Sequence, residues 1–297
     1  MAILALSCHG LADIIVIDDT GRSVQLAQPA KRIISLAPHT TEMLFAAGAG
    51  DKVVGTVSYS DFPPAAKQIP RIGSFEHFDY ERIAALQPDL VVGWSSGNPG
   101  DAQEQLRRLG FPLYLSEPSS IDAIATNMER LAELAGTQTA AEDNIRRFRS
   151  DMRALARKYR DARPVSIFYE VWNDPLMTLN GEHLFNDLAT LCGGKNVFAE
   201  LPALAPRVNI EAVLAKNPEV IIASGANEAR PEWLDDWKRW PTLQAVKNNH
   251  LYVVPPDIIQ RHTPRIAEGA AMLCRHLERA RKDYQREDEL RSPHDIP

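Results

Sequence analysis

Chemistry in a sequence shows first as nucleophiles, acid–base pairs or phosphate cradles at fixed spacings. This chain has no GxxxxGK[ST] loop and no GxGxxG after a β-branched run. The stretch "GWSSGNPGD" (Gly93–Asp101) does join a strand-like run to a helix-like one, where a glycine-rich loop can hold phosphate. Asp101 at the head of that helix would repel an anion, so phosphate binding is not expected. His39, His77, His183 and His262 fall in loops or at the ends of predicted elements. None has the paired spacing of HxxxH, so solvated or hydrogen-bonded imidazoles are the simpler reading and no metal site is assigned. A nucleotide-using α/β enzyme stays only as an alternative of another class.

The aromatic residues say more. Tyr59, Phe62, Phe75, Phe78 and Trp94 lie in loops or at the end of a strand-like run in the first half, and Trp172 lies just past one in the second. Flat apolar faces outside the carboxyl ends of parallel strands suit a large ligand. Phe62 and Phe78 are expected to cap their own core, and Trp233, Trp237 and Trp240 to pack along an amphipathic helix. Acids also recur. "ERIAALQPDLVVGW" (Glu81–Trp94) has a weaker copy in "EAVLAKNPEVIIAS" (Glu211–Ser224), with Glu81 on Glu211, Pro88 on Pro218 and Asp89 on Glu219. An acid in a helix's first turn is favoured by the dipole. That reason alone does not call for the same acid twice.

The elements that must position these residues alternate. "RIISLAP" and "KVVGTV" read as strands, with the helix "HTTEMLFAAGAG" between them, N-capped by Thr40 or Thr41 and ending near Gly48. A helix over 81–86, a strand over 90–94, the helix "DAQEQLRRLG" and the strand "PLYLSE" complete a first α/β lobe, 13–137. That lobe includes a helix over about 119–136. A long, charged helix, 138–162, reads as a rigid connector. A second lobe, 163–284, restarts the pattern with "VSIFYEV", "HLFNDLATLCGG", "IEAVLAKN", "EVIIAS", the helix "PEWLDDWKRW", "HLYVVP" and a closing helix. The expected fold class is α/β, two Rossmann-like lobes joined by a single long helix.

Composition bounds the rest. The 297 residues suffice for two cores, and the net charge of −6 without a basic run argues against nucleic acid or an anionic membrane as the main partner. "MAILALSCHGLA" (1–12) reads as the remnant of a secretory signal, without a charged start, and with Cys8 as a second-choice lipid-attachment site. A first β-strand is the plainer reading of that run. The end, 285–297, is polar and reads as a disordered tail. Without Cys8, Cys192 and Cys274 remain, which permits one disulfide or two buried thiols.

Taken in order, "SYSDFPPAAKQIPRIGSF", "ERIAALQPDLVVGWSSGN", "FYEVWNDPLMT", "LCGGKNVF" and "HTPRI" resemble the substrate-binding proteins of ABC importers for vitamin B12, within a wider group that serves iron-siderophores and haem. The resemblance runs from about Arg32 to Leu277. It implies capture of a corrinoid between two lobes in the periplasm, without bond chemistry or a cofactor of the protein's own; cobalt comes inside the ligand. A monomer that delivers to a permease dimer in the inner membrane is expected. The resemblance puts Tyr59, Phe75 and Trp94 on the ligand wall of the first lobe and Asp257 on that of the second. Trp172 is added from its place past a strand, and Arg261 is counted with the ligand residues as a cleft cation. Ala205 and Ile258 stand where a B12 binder has tryptophans, which thins the aromatic clamp. Phe75 stands near the position where haem binders often have a tyrosine, and phenylalanine cannot ligate iron. An iron-siderophore binder would use more cleft cations, with Arg261 and Arg265 the candidates. The resemblance also implies a Cys192–Cys274 disulfide, and docking on the permease through Glu81 and Glu211.

Overall fold

The computed structural model describes residues 13–224 and 231–291, with side chains to 285 in the last helix. The expected signal remnant, Cys8 included, lies outside them. Two compact units divide the chain. One holds the chain up to Pro118 together with Ala125–Arg146, and the other holds Ser119–Ile124 and the chain from Arg147 on.

In the first unit, β1 (Ile14–Ile17) and β2 (Ser23–Leu26) form an antiparallel hairpin. Asp19 fastens it to the sheet. Its backbone N–H donates to the Leu115 carbonyl at 3.1 Å, and its carboxylate accepts from Asn127 and pairs with Arg130 at 2.8 Å. The sheet has β3 (Ile33–Ser35), β4 (Val53–Gly55), β5 (Leu90–Trp94) and β6 (Leu113–Ser116), all parallel, in the order β4-β3-β5-β6. Leu90, Val91 and Val92 are fully buried. A parallel strand covered on both faces reads as a continuous apolar run, which is why β5 was legible. The unit's helices are α1 (Pro38–Ala46), α2 (Tyr80–Ala85), α3 (Gly100–Arg108) and most of α4 (Ile121–Ala135). The next helix, α5 (Gln138–Tyr159), gives its residues to Arg146 to this unit and the rest to the second.

Two expectations are corrected here. Helix α1 begins at Pro38 with Ala37 as N-cap, ahead of Thr40 and Thr41. Proline is at ease in the first helical turn, where its missing N–H would have no partner. The threonines are therefore inside the helix. Thr40 Oγ1 accepts from the Ala37 N–H at 3.1 Å, and Thr41 joins a buried hydroxyl cluster with Ser35, Thr56 and Ser60. Phe62 does not cap the core; it is 38% exposed. The loop's inward anchor is Ser60, whose carbonyl accepts from Arg71 at 2.8 Å, and this leaves Tyr59 and Phe62 at the surface. Phe78 does pack on the core around Ile72 and Ile83.

The second unit repeats the plan. Strands β7 (Val165–Glu170), β10 (Gly194–Asn196), β11 (Val220–Ala223) and β12 (Leu251–Val253) pair in parallel in the order β10-β7-β11-β12. Between them, β8 (Trp172–Asn173) and β9 (Leu176–Met177) make a short hairpin. In both units, then, the spatial order of the four sheet strands is second, first, third, fourth. The repeated sequence motif is α2 leading to β5 in one unit, and α7 (Ile210–Lys216) leading to β11 in the other. It marks the third strand of each sheet.

Helix α6 (Leu184–Leu191) is tied to α10 (Ile266–Arg291) by the Cys192–Cys274 disulfide, with both cysteines fully buried. The short α8 (Gln244–Lys247) and α9 (Pro256–Ile259) flank β12. The expected α-helix at "PEWLDDWKRW" is a 3-10 helix over Glu232–Arg239. Its Trp237 is buried, and Trp233 and Trp240 pack on the same core, as expected of them. Helix α10 continues through Arg291, into the stretch read as tail; residues 292–297 lie outside the described ones.

Candidate functional site

In a parallel sheet of this order the connections diverge on either side of the first strand, and the crevice there is the favoured ligand position. In the first unit that crevice lies between the carboxyl ends of β3 and β5. Trp94 is the last residue of β5 and is half-buried. His39, buried in α1, meets its ring edge-on at 5.2 Å, and Phe75 is tilted against it at 6.1 Å. Two of the three first-lobe residues expected at the site are thus neighbours. The third, Tyr59, is 74% exposed on a backbone at φ 65°. Its loop is pinned on both sides: Ser58 N–H donates to the Gly73 carbonyl at 2.9 Å, and Thr41 holds the Ser60 hydroxyl at 3.1 Å.

The loop after Trp94 is anchored by three side chains that the sequence did not single out. Asn98 Oδ1 accepts from the Trp94 N–H at 2.7 Å, Gln103 Nε2 donates to the carbonyls of Ser95 and Asn98 at 2.9 Å each, and Glu117 accepts from the Ser96 N–H at 2.8 Å. An asparagine before proline signals a turn in sequence, but not what its amide will reach. Gly93–Gly97 also spells Gly-x-Ser-x-Gly, the spacing of a hydrolase elbow. The geometry does not support that use, since Ser95 Oγ makes no hydrogen bond to an imidazole or carboxylate among the described residues.

In the second unit, Trp172 is 48% exposed in β8, with its Nε1–H donated to the Asp174 carbonyl at 2.8 Å. Asp257, in the first turn of α9, pairs with Arg261 at 3.0 Å. Next to Arg261, His262 meets His183 at 5.4 Å, ring to ring. His183 caps α6 by accepting the Phe185 N–H on Nδ1 at 3.0 Å, which requires a neutral ring. Burial and the neighbouring His262 push its pKa down to about 4. Glu170, at the carboxyl end of β7, is 2% exposed. Burial pushes its carboxyl up to about 8 although Trp237 Nε1 donates to it at 2.7 Å. Among the described residues, no group of three or more His, Cys, Asp or Glu side chains is gathered as for a metal ion. No helix among them is long and apolar enough to cross a membrane.

The paired acids separate into two kinds. Asp89 accepts the N–H groups of Lys31 and Arg32 at 2.9 Å each, and Glu219 accepts that of Ser166 at 2.7 Å while pairing with Arg163. Each therefore fastens the third strand's entry to the segment before or within the first strand. Glu81 and Glu211 do neither. Both are exposed in the first turns of α2 and α7, whose N-caps are Asp79 and Asn209. Neither carboxylate has a hydrogen-bond or ion-pair partner among the described residues.

A family model described as "Periplasmic binding protein" matches residues 33–258. The chain is 36% identical over 258 residues to a vitamin B12-binding protein of Vibrio parahaemolyticus, covering 86% of this chain and 92% of that one. It is 37% identical over 255 residues to one from Vibrio cholerae. The crystal structure of the periplasmic vitamin B12 binding protein BtuF of Vibrio cholerae superposes with a TM-score of 0.78 at 36% identity, covering 86% of this chain and 99% of that one. The periplasmic heme-binding protein RhuT of Roseiflexus shares the fold, at 24% identity and a TM-score of 0.73. The chain belongs to the periplasmic binding protein family.

Proposed function

We propose that this protein captures a corrinoid, vitamin B12 or a close analogue, in the periplasm and delivers it to the membrane permease of an ABC importer. The observation that carries this reading is the 36% identity to a vitamin B12-binding protein across 92% of that protein's length. The family is one of binding proteins, so the chain works by affinity and not by turnover. The ligand residues are Tyr59, Phe75 and Trp94 from the first unit and Trp172, Asp257 and Arg261 from the second. The protein carries no cofactor of its own and acts as a monomer. The exposed, unpaired Glu81 and Glu211 dock on the two permease subunits. Against a siderophore ligand, the charge of Arg261 is already matched by Asp257 at 3.0 Å, which lowers its value to an acidic chelate. The test is the visible spectrum of the purified protein after incubation with cyanocobalamin and desalting. Retained corrin absorbance at one equivalent is expected; none would overturn the reading.

A further inference from the structure

Asn98 is 4% exposed, and its one amide serves three chain segments of the first unit. Oδ1 accepts the Trp94 N–H at 2.7 Å, while Nδ2 donates to the Phe75 carbonyl at 2.8 Å and the Leu36 carbonyl at 3.0 Å. The backbone N–H of Asn98 closes the turn onto the Trp94 carbonyl at 3.1 Å. Both Nδ2 hydrogens are therefore used. Leu36 follows β3, Trp94 ends β5, and Phe75 comes from the loop ahead of α2. One side chain thus links the two strand ends that flank the crevice to the loop carrying the second ring.

The neighbouring residue completes the arrangement. Gly97 lies against the indole of Trp94, and a Cβ added there would overlap the ring. A buried asparagine in a turn is ordinarily only a satisfied turn residue. Here its partners are the backbone groups of both neighbouring aromatic residues, and the ring itself demands the adjacent glycine. We infer that Asn98 and Gly97 are positioning residues for the ligand face: they hold the Trp94 indole and the Phe75 ring in place before any ligand arrives. Binding then does not have to order those rings, which is what preorganisation contributes to affinity. The inference takes its ligand from the corrinoid reading but its geometry from the first unit alone.

The test uses Asn98→Ala and Gly97→Ala in the full chain. Asn98→Ala removes the amide, and Gly97→Ala displaces the indole while leaving the amide in place, so one variant serves if the other fails to fold. The first readout needs no ligand: the isotope-labelled indole N–H cross-peak of Trp94, assigned with Trp94→Phe. In the folded variant this peak is expected to shift, broaden or split while those of the other tryptophans stay. The second is cyanocobalamin affinity measured well below the melting temperature, expected to fall by about tenfold or more. A merely structural role would lower the melting temperature and move neither readout. An unchanged Trp94 cross-peak, or an affinity within twofold of wild type, overturns the inference. Should the wild type retain no cyanocobalamin, the corrinoid reading fails by itself and the cross-peak alone decides this one.

Discussion

Trp94 is the residue on which the proposed ligand face turns. Its backbone is fixed by Asn98, and its ring meets His39 in a T-shaped pair and Phe75 at a tilt. A tryptophan face covered by an apolar ligand gains free energy through area, at about 25 cal/mol per Å². Trp94→Ala should therefore weaken corrinoid binding by about 2 kcal/mol or more, read by calorimetry on the folded variant. Unchanged affinity would remove Trp94 from the ligand face. Asp257→Ala should cost less, because water replaces part of a polar contact. The place of Trp94 at the end of β5 was legible in the sequence from the apolar β-branched run that leads to it. Asn98 was not, because its carbonyl partners lie 62 and 23 positions away along the chain, and only the fold brings them together.

Among elements, legibility followed the length of the repeating pattern. Strand β5 and helix α2 were clear from a run of apolar residues and a proline break between them. The three-residue β10 and the two-residue β8 and β9 were not, since such strands exist only through their partners. Two cross-links between elements of the second unit can be tested. Cys192–Cys274 closes a loop with a sequence separation of 82, which in the chain-entropy model stabilises by about 4.5 kcal/mol. Replacing both cysteines by alanine should lower the melting temperature, and an unchanged value would show that α6 and α10 hold without the bond. Glu170 joins β7 to the 3-10 helix through Trp237. Its folded pKa of about 8 lies above the ordinary 4.5, so the folded state holds a proton that the unfolded chain releases. Stability is complete below pH 4.5 and is lost as pH rises through 8, by several kcal/mol in all. Glu170→Gln cannot ionise and still offers Trp237 an oxygen. Its melting temperature should match wild type near pH 4.5 and exceed it increasingly up to pH 9, within reach of calorimetry. A constant difference across that range would mean that Glu170 titrates normally.

For the whole molecule, the repeated acid is the instructive feature. Both units use the same strand order, and both place a carboxylate in the first turn of the helix that feeds the third strand. Interaction with the helix dipole accounts for about 0.3–1 kcal/mol at each place and asks for nothing more. The later acids of the motif, Asp89 and Glu219, have structural work: they accept backbone N–H groups near the first strand of each sheet. Glu81 and Glu211 have none, being exposed and unpaired among the described residues. A carboxylate kept free at equivalent points of two related units suits a partner that is itself two-fold, as the proposed permease dimer is. Charge at such a rim governs encounter and register more than the cohesion of either protein. The double variant Glu81→Lys/Glu211→Lys should therefore lose no more than several degrees of melting temperature, from the reversed dipole interactions, and bind cyanocobalamin as before, yet fail to support uptake, because it reverses the charge that the proposed docking uses. Uptake and binding have to be measured on the same variant. Normal uptake would reduce both glutamates to helix-dipole partners, and lost corrinoid binding would move them from the docking surface to the ligand face.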